Sequence, residues 1–155
     1  MCIRDSYRPL AMRQQLRRAG GVTVIDDSYN ASPDAVKSSL DVLGGFADGR
    51  RVAVLADMLE LGEHSARAHF DVGVRAAAKA DVLVTVGVEA EHIAEGARSA
   101  RPDMTVRVCR ENAEATAFLR SFLAAGDTVL VKGSRGMHTD GIVADVLASL
   151  GGEER

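Results

Sequence analysis

Aromatic side chains, cysteines and long apolar runs are all scarce in this sequence. Aromatic residues make up 4% of the 155 positions and tryptophan is absent, so the core must be built from valine, leucine and alanine. The two cysteines, Cys2 and Cys109, fit no metal-binding or redox spacing, and two isolated thiols suit a reducing, cytoplasmic environment. No apolar run approaches the roughly 20 residues that a membrane-spanning helix needs. We therefore predict no membrane insertion.

An excess of positive charge is also missing. The formal net charge is −3, from 19 Lys and Arg against 22 Asp and Glu, which gives no electrostatic basis for binding nucleic acid or an anionic membrane. The four histidines are scattered and do not form ligand pairs. The composition is that of an ordinary globular protein, 46% apolar and 26% charged, with enough chain for one domain and its core.

Short apolar segments rich in β-branched residues alternate with segments of helical periodicity along the chain. Strands are predicted at 22–25, 51–56, 81–86, 105–108 and 127–131, with an edge strand near Met12 to Leu16. Helices are predicted at 33–46, 65–80, 90–99, 112–123 and 139–150. Such alternation is typical of an α/β protein with right-handed crossovers. We predict a Rossmann-like open, mostly parallel sheet of about five to six strands with helices on both faces.

Three polar segments follow predicted strands, at 26–32, 57–64 and 132–138. The first of them has two adjacent carboxylates, Asp26 and Asp27, followed after Ser28 by Tyr29 and Asn30, a richer set than an ordinary turn requires. Because the carboxyl ends of parallel strands lie at one edge of a sheet, we expect the three loops to converge on a single site.

The segment KGSRG, residues 132–136, has the chemistry of an anion-binding loop. Its glycines allow successive backbone N–H groups to face one anion. Arg135 suits a carboxylate, Ser134 offers a hydrogen bond and Lys132 adds a point charge. Asp57, in the preceding loop, suits a cation, a ribose hydroxyl or a substrate amine. For each segment an ordinary solvated turn is the alternative.

Four motifs occur together in this chain: MR at Met12-Arg13, VIDDSYNASPDAV at 24–36, VLADMLELGEHS at 54–65 and VLVKGSRGMHTD at 129–140. In this order they resemble the carboxy-terminal domain of the Mur ligases, over roughly Tyr7 to Leu150. The family usually has glycine where Ala56 stands and often has asparagine where Ser32 stands. Both differences exchange one small residue for another.

The resemblance implies an ATP-dependent amide ligase of bacterial peptidoglycan synthesis. Such an enzyme forms an acyl phosphate on UDP-MurNAc-tripeptide and joins D-Ala-D-Ala to it, with Mg²⁺ screening the phosphates. It implies a group of ATP-binding residues, namely Arg13, Asp27, Tyr29 and Asn30. It also implies a group that binds D-Ala-D-Ala, namely Asp57, Lys132, Ser134 and Arg135. The P-loop and the Mg²⁺ ligands belong to upstream domains, so no catalytic or metal-binding residue is expected here.

The first six residues, MCIRDS, resemble the translation of a sequencing-library adapter, and we exclude them from fold reasoning. Residues 7–155 are then expected to be the carboxy-terminal domain of a longer chain. The UDP-sugar domain and the central ATPase domain would lie upstream, as partners in the same chain. The fragment alone is therefore expected to be inactive.

A phospho-accepting receiver domain is the alternative from another functional class. Asp26, Asp27, Asp57 and Lys132 imitate its acidic pair, its phosphate acceptor and its lysine. A receiver, however, has a further strand between the acidic pair and the acceptor, whereas a single helix is predicted there. A dinucleotide-binding module is disfavoured because no GxGxxG follows any predicted strand.

Overall fold

The computed structural model describes residues 15–28, 31–46 and 49–152, in which strands and helices alternate as predicted. The strands are β1 (Gln15–Ala19), β2 (Val22–Asp27), β3 (Arg51–Ala56), β4 (Val82–Val86), β5 (Thr105–Cys109) and β6 (Thr128–Lys132). The helices are α1 (Pro33–Gly44), α2 (Ser65–Lys79), α3 (Glu91–Ala100), α4 (Asn112–Phe122) and α5 (Asp140–Ser149). Within the described ranges, no helix combines the length and apolarity needed to cross a lipid bilayer.

The strands form one six-stranded sheet in the order β1-β2-β6-β3-β4-β5. β1 pairs antiparallel with β2, and the other four pairings are parallel. This confirms the predicted open, mostly parallel sheet. The edge strand lies at Gln15–Ala19, a few residues later than predicted. Its register against β2 is set by the tight turn at Gly20 and Gly21, both at positive φ.

Helices cover both faces of the sheet. α1, α2 and α3 pack on one face together with Ile25 and Leu55, whereas α4 and α5 pack on the other with Val24 and Val54. Successive strand residues point to opposite faces, so a strand covered on both sides must be apolar along its length. Every residue of β4 is accordingly buried.

The start of α1 is the one that the sequence predicts. Ser32 caps the helix by accepting a 3.3 Å hydrogen bond from a backbone amide of the first turn, and Pro33 occupies the start of the helix. The helix ends at Gly44, two residues before the predicted end at Phe46. The Gly45 amide donates back three residues in a 3₁₀-type bond of 3.1 Å, and this tightened turn ends the helix.

α2 and α3 lie in direct backbone contact. A Cβ atom added at Gly73 would be 1.9 Å from the carbonyl oxygen of Ile93, and one added at Gly96 would be 2.0 Å from the carbonyl oxygen of Phe70. No larger residue fits at either position without separating the helices. The contact therefore fixes the two helices, and the loops that precede them, relative to each other.

An ion pair lies at the amino-terminal ends of the parallel strands. Arg50, just before β3, donates from Nε and Nη2 to the two carboxylate oxygens of Asp127, at 3.1 and 2.7 Å. The guanidinium also lies 4.0 Å from the centroid of the Phe122 ring. Burial by itself would raise the pKa of Asp127, but hydrogen bonds from Arg50 and from the Ala124 amide outweigh it and lower that pKa.

Candidate functional site

The loops that follow β2, β6, β3 and β4 gather at the carboxyl edge of the sheet. The chain leaves β2 and β3 toward the face covered by α1, α2 and α3, but it leaves β6 toward α5 on the opposite face. β6 thus lies between β2 and β3, and the connections that follow those two strands run to the opposite face of the sheet from the connection that follows β6. Ligands of open α/β sheets bind at such topological switch points. The predicted convergence of the three polar segments is found here.

A buried ion pair connects the ends of β2 and β6, where two of these loops begin. Lys132 is the last residue of β6 and lies opposite Asp27, the last residue of β2. Its Nζ is 2.9 Å from Asp27 Oδ2, and the two side chains are 4% and 6% exposed. Ser39, on α1, donates a further hydrogen bond to the same carboxylate oxygen. The pair therefore holds both predicted ligand residues, buried, at the carboxyl edge of the sheet.

Ser134 joins the loop after β6 to the loop after β3. Its amide donates to the carbonyl oxygen of Asp57 at 3.1 Å, and its hydroxyl accepts from the Leu59 amide at 2.8 Å. The Asp57 carboxylate in turn accepts a 2.7 Å hydrogen bond from the Ala90 amide, in the loop after β4. Ser134 and Asp57 are both buried. Three strand-end loops are thus held together by direct hydrogen bonds.

Arg135 is exposed, whereas the other predicted site residues that the structure describes, namely Asp27, Asp57, Lys132 and Ser134, are buried. It begins a short 3₁₀ turn, Arg135–Met137, that follows Ser134 directly. The turn is held from α4, where the Asn112 amide group donates to the carbonyl oxygens of Met137 and His138 at 2.9 and 3.2 Å. The loop thus carries an exposed cationic residue, next to the buried Ser134, on an anchored backbone.

His69 also belongs to this arrangement, although no motif or spacing assigns it a role. Its ring is fully buried on α2, and its Nε2 accepts a 2.9 Å hydrogen bond from the Met58 amide. The available signal was the spacing of His69, Val72 and Ala76, which places the histidine on the buried face of the helix. That spacing marks it as buried but does not identify its partner.

Comparison with known proteins identifies the family. Residues 12–135 match the family model described as Mur ligase, glutamate ligase domain. The chain belongs to the Mur ligase family. Two curated relatives are the UDP-N-acetylmuramoyl-tripeptide–D-alanyl-D-alanine ligases of Mycobacterium leprae and Bacillus subtilis. The first is 39% identical over 160 residues, covering 89% of this chain and 30% of the relative. The second is 34% identical over 143 residues, covering 89% and 31%. This Mur ligase chain therefore spans about 30% of the length of these relatives.

Solved Mur ligase structures share the fold. The MurF ligase from Thermotoga maritima, crystallised in complex with ADP, matches with a TM-score of 0.79 and 28% identity, covering 94% of this chain and 33% of that one. The strand order also argues against the receiver alternative. A flavodoxin-like sheet has the order 2-1-3-4-5, whereas the five parallel strands here, counted along the chain from β2, have the order 1-5-2-3-4.

Several predicted features of this Mur ligase chain lie outside the described residues. They are the edge-strand residues 12–14, the segment MCIRDS, and the predicted ATP-binding residues Arg13, Tyr29 and Asn30. Among the residues that are described, no group of three or more His, Cys, Asp or Glu side chains could hold a metal ion.

Proposed function

We propose that this chain is the carboxy-terminal domain of an ATP-dependent ligase that joins D-Ala-D-Ala to UDP-MurNAc-tripeptide in bacterial peptidoglycan synthesis. The proposal rests on one observation: the segments that carry the family motifs lie together at one edge of the sheet. Relatives with that enzyme name match this chain over most of its length. The motif segments of this chain meet at the switch point of the sheet, where a ligand is expected. The reaction would take place in the cytoplasm.

ATP is proposed to bind beside the end of β2. A carboxylate there suits a ribose hydroxyl, and Asp27 stands at that edge with one oxygen held by Lys132. Arg13, Tyr29 and Asn30 would complete the nucleotide contacts. ATP supplies the phosphoryl group that activates the tripeptide carboxylate, and Mg²⁺ would be held mainly by upstream domains. The residues of this chain would bind and orient the substrates and would not supply a catalytic acid or base.

D-Ala-D-Ala is proposed to bind between the loops after β3 and β6. Arg135 is the residue proposed to bind its terminal carboxylate, because a guanidinium forms paired hydrogen bonds with such a group and this residue is exposed next to the buried Ser134. The base of the site would be formed by three buried residues, Asp57, Lys132 and Ser134. Their hydrogen bonds and ion pair would hold the loop backbones in place. Correct positioning of the attacking amine is the main catalytic contribution expected from this half of the cleft.

The direct test is an assay of the full-length ligase that contains this chain. Phosphate release from ATP is measured with UDP-MurNAc-tripeptide, with and without D-Ala-D-Ala. Release that depends on the dipeptide is expected. Release that is absent, or that is indifferent to the dipeptide, would contradict the proposed function.

Arg135→Ala in the same ligase should raise the KM for D-Ala-D-Ala about ten- to a hundredfold, the range expected for losing a charge-assisted hydrogen bond. The KM for ATP should change less than about twofold, because the nucleotide is proposed to lie beside β2. Arg67→Ala is the matched control, since the Arg67 side chain is 82% exposed on α2. Dipeptide kinetics that do not change in the Arg135 variant would remove this residue from the site.

A further inference from the structure

The backbone of the loop after β3 is anchored from beneath by a buried histidine. His69 is 0% exposed, and Met58, whose amide it binds, is 1% exposed. The His69 Nδ1 lies 2.7 Å from the carbonyl oxygen of Ser65, one turn earlier on α2. The Ser65 hydroxyl donates to Glu89 at 2.6 Å, in the loop after β4. The same hydroxyl oxygen lies 3.2 Å from His69 Nδ1, so polar contacts connect the loop after β4, through Ser65 and His69, to the loop after β3.

The partners determine which form of the ring is present. A backbone amide can only donate, so the Nε2 that faces Met58 must carry a lone pair and no proton. A carbonyl oxygen can only accept, so the Nδ1 that faces Ser65 must carry the hydrogen. His69 is thus held as one neutral tautomer, with both ring nitrogens used in hydrogen bonds. The hydrogen bond to the Ser65 carbonyl oxygen orients the ring. The hydrogen bond from the Met58 amide holds the loop after β3.

The loop that His69 holds is the one that Ser134 joins to the anion-binding segment. Met58 lies between Asp57 and Leu59, which exchange hydrogen bonds with Ser134 on the other side of the loop. A shift of the Met58 backbone would therefore displace Ser134, and with it the adjacent Arg135. Displacements of about 1 Å at a substrate-positioning residue can lower the rate about a hundredfold.

We propose that His69 is a positioning residue for D-Ala-D-Ala: through the Met58 amide it fixes the loop after β3 and, by way of Ser134, the place of Arg135. This inference rests on the proposed function, because it assigns the loop after β3 to the dipeptide side of the cleft. The histidine does not touch the substrate. Its effect is expected on dipeptide binding and not on nucleotide binding.

Two substitutions separate the two bonds of the ring. In His69→Gln the side-chain oxygen can reach the position of Nε2 and accept from Met58, so the loop anchor is retained. In His69→Asn the shorter amide reaches only the position of Nδ1 and donates to Ser65, so the anchor is lost. In the full-length ligase we expect the asparagine variant to raise the KM for D-Ala-D-Ala about tenfold, with ATP KM unchanged within about twofold. The glutamine variant should stay within about threefold of wild type for both substrates.

His92→Asn is the control, because His92 is a partly exposed histidine on α3, paired with Glu95. Equal dipeptide KM values in the two His69 variants, or a joint rise of the ATP and dipeptide KM values, would overturn the positioning role. A ligase without dipeptide-dependent phosphate release would instead overturn the proposed function, and with it the assignment to dipeptide binding.

A second measurement covers the case in which His69→Asn does not fold. Single-amide hydrogen exchange in the unsubstituted ligase should show the Met58 amide protected at least about a hundredfold more than the amide of Gly62 in the same loop. Exchange of Met58 at the rate of an unprotected loop amide would show that His69 does not anchor the loop, and would also overturn the inference.

Discussion

Replacing Lys132 with methionine removes the cation of the buried ion pair while keeping the length and apolar stem of the side chain. The Asp27 carboxylate, 6% exposed and 2.9 Å from the Lys132 ammonium, then lacks that cation. Removing one partner of a buried pair typically costs about 3–5 kcal/mol, because the remaining charge is left in a poorly solvated position. For a chain of this length each kcal/mol lowers the melting temperature by about 2–4 °C, so a fall of about 6–20 °C is expected.

Urea unfolding of the chain, followed by circular dichroism, measures this loss as a change in the free energy of unfolding. Lys79→Met is the matched control, because its side chain is 38% exposed and its Nζ lies 3.7 Å from Asp41, a surface pair worth less than about 1 kcal/mol. The double variant Asp27→Asn/Lys132→Met should cost clearly less than the sum of its single changes. A Lys132 variant no less stable than the Lys79 variant would refute the stabilising role of this ion pair.

Three further substitutions test an ion pair and the helix packing away from the site. Asp127→Asn should destabilise the chain by about 1–3 kcal/mol near neutral pH, because it weakens the bonds from Arg50. Burial opposes ionisation of Asp127, but those bonds hold its pKa below the ordinary 3.8. The stability gained from a lowered pKa is fully present above the unfolded value of 3.8 and is lost as the pH falls through the folded pKa. The difference between variant and wild type should therefore be constant above about pH 5 and shrink as the pH falls below about 4, and a difference that stays constant there would contradict this reasoning. Gly96→Ala should lower the melting temperature strongly, since its Cβ would lie 2.0 Å from the Phe70 carbonyl oxygen. Gly141→Ala, with no atom within 4 Å of the added Cβ, should leave the melting temperature equal or higher.

The local structure of this chain follows from short-range patterns, which is why it could be predicted. Ser32 and Pro33 define a helix start through contacts within one turn, and the alternation of apolar strands and amphipathic helices gives the sheet. The convergence of the polar loops also follows from general geometry, since parallel strands end at one edge.

The partners of the site residues could not be predicted, because they depend on long-range register. Lys132 and Asp27 meet only because β6 pairs with β2 in parallel, a neighbour relation that the order of elements along the chain does not reveal. A lysine beside glycines has the same appearance in sequence whether it binds a ligand or an internal carboxylate. The sequence also gives no sign of the partner of His69, because that partner is the backbone amide of Met58 and any residue type has such an amide.

The central place of β6 has a consequence for biosynthesis. β2 and β3 are not neighbours, and each pairs instead with β6, which is translated roughly a hundred residues after β2. At bacterial elongation rates of about 5–20 residues per second, β2 is therefore made several seconds before the strand with which it pairs. Once β3 has also been made, the ribosome-bound chain has two unpaired strand edges, and such edges are templates for pairing with other chains. The crevice of the finished molecule is therefore among the last parts of this chain to form, and a chaperone that shields nascent strand edges would protect it most.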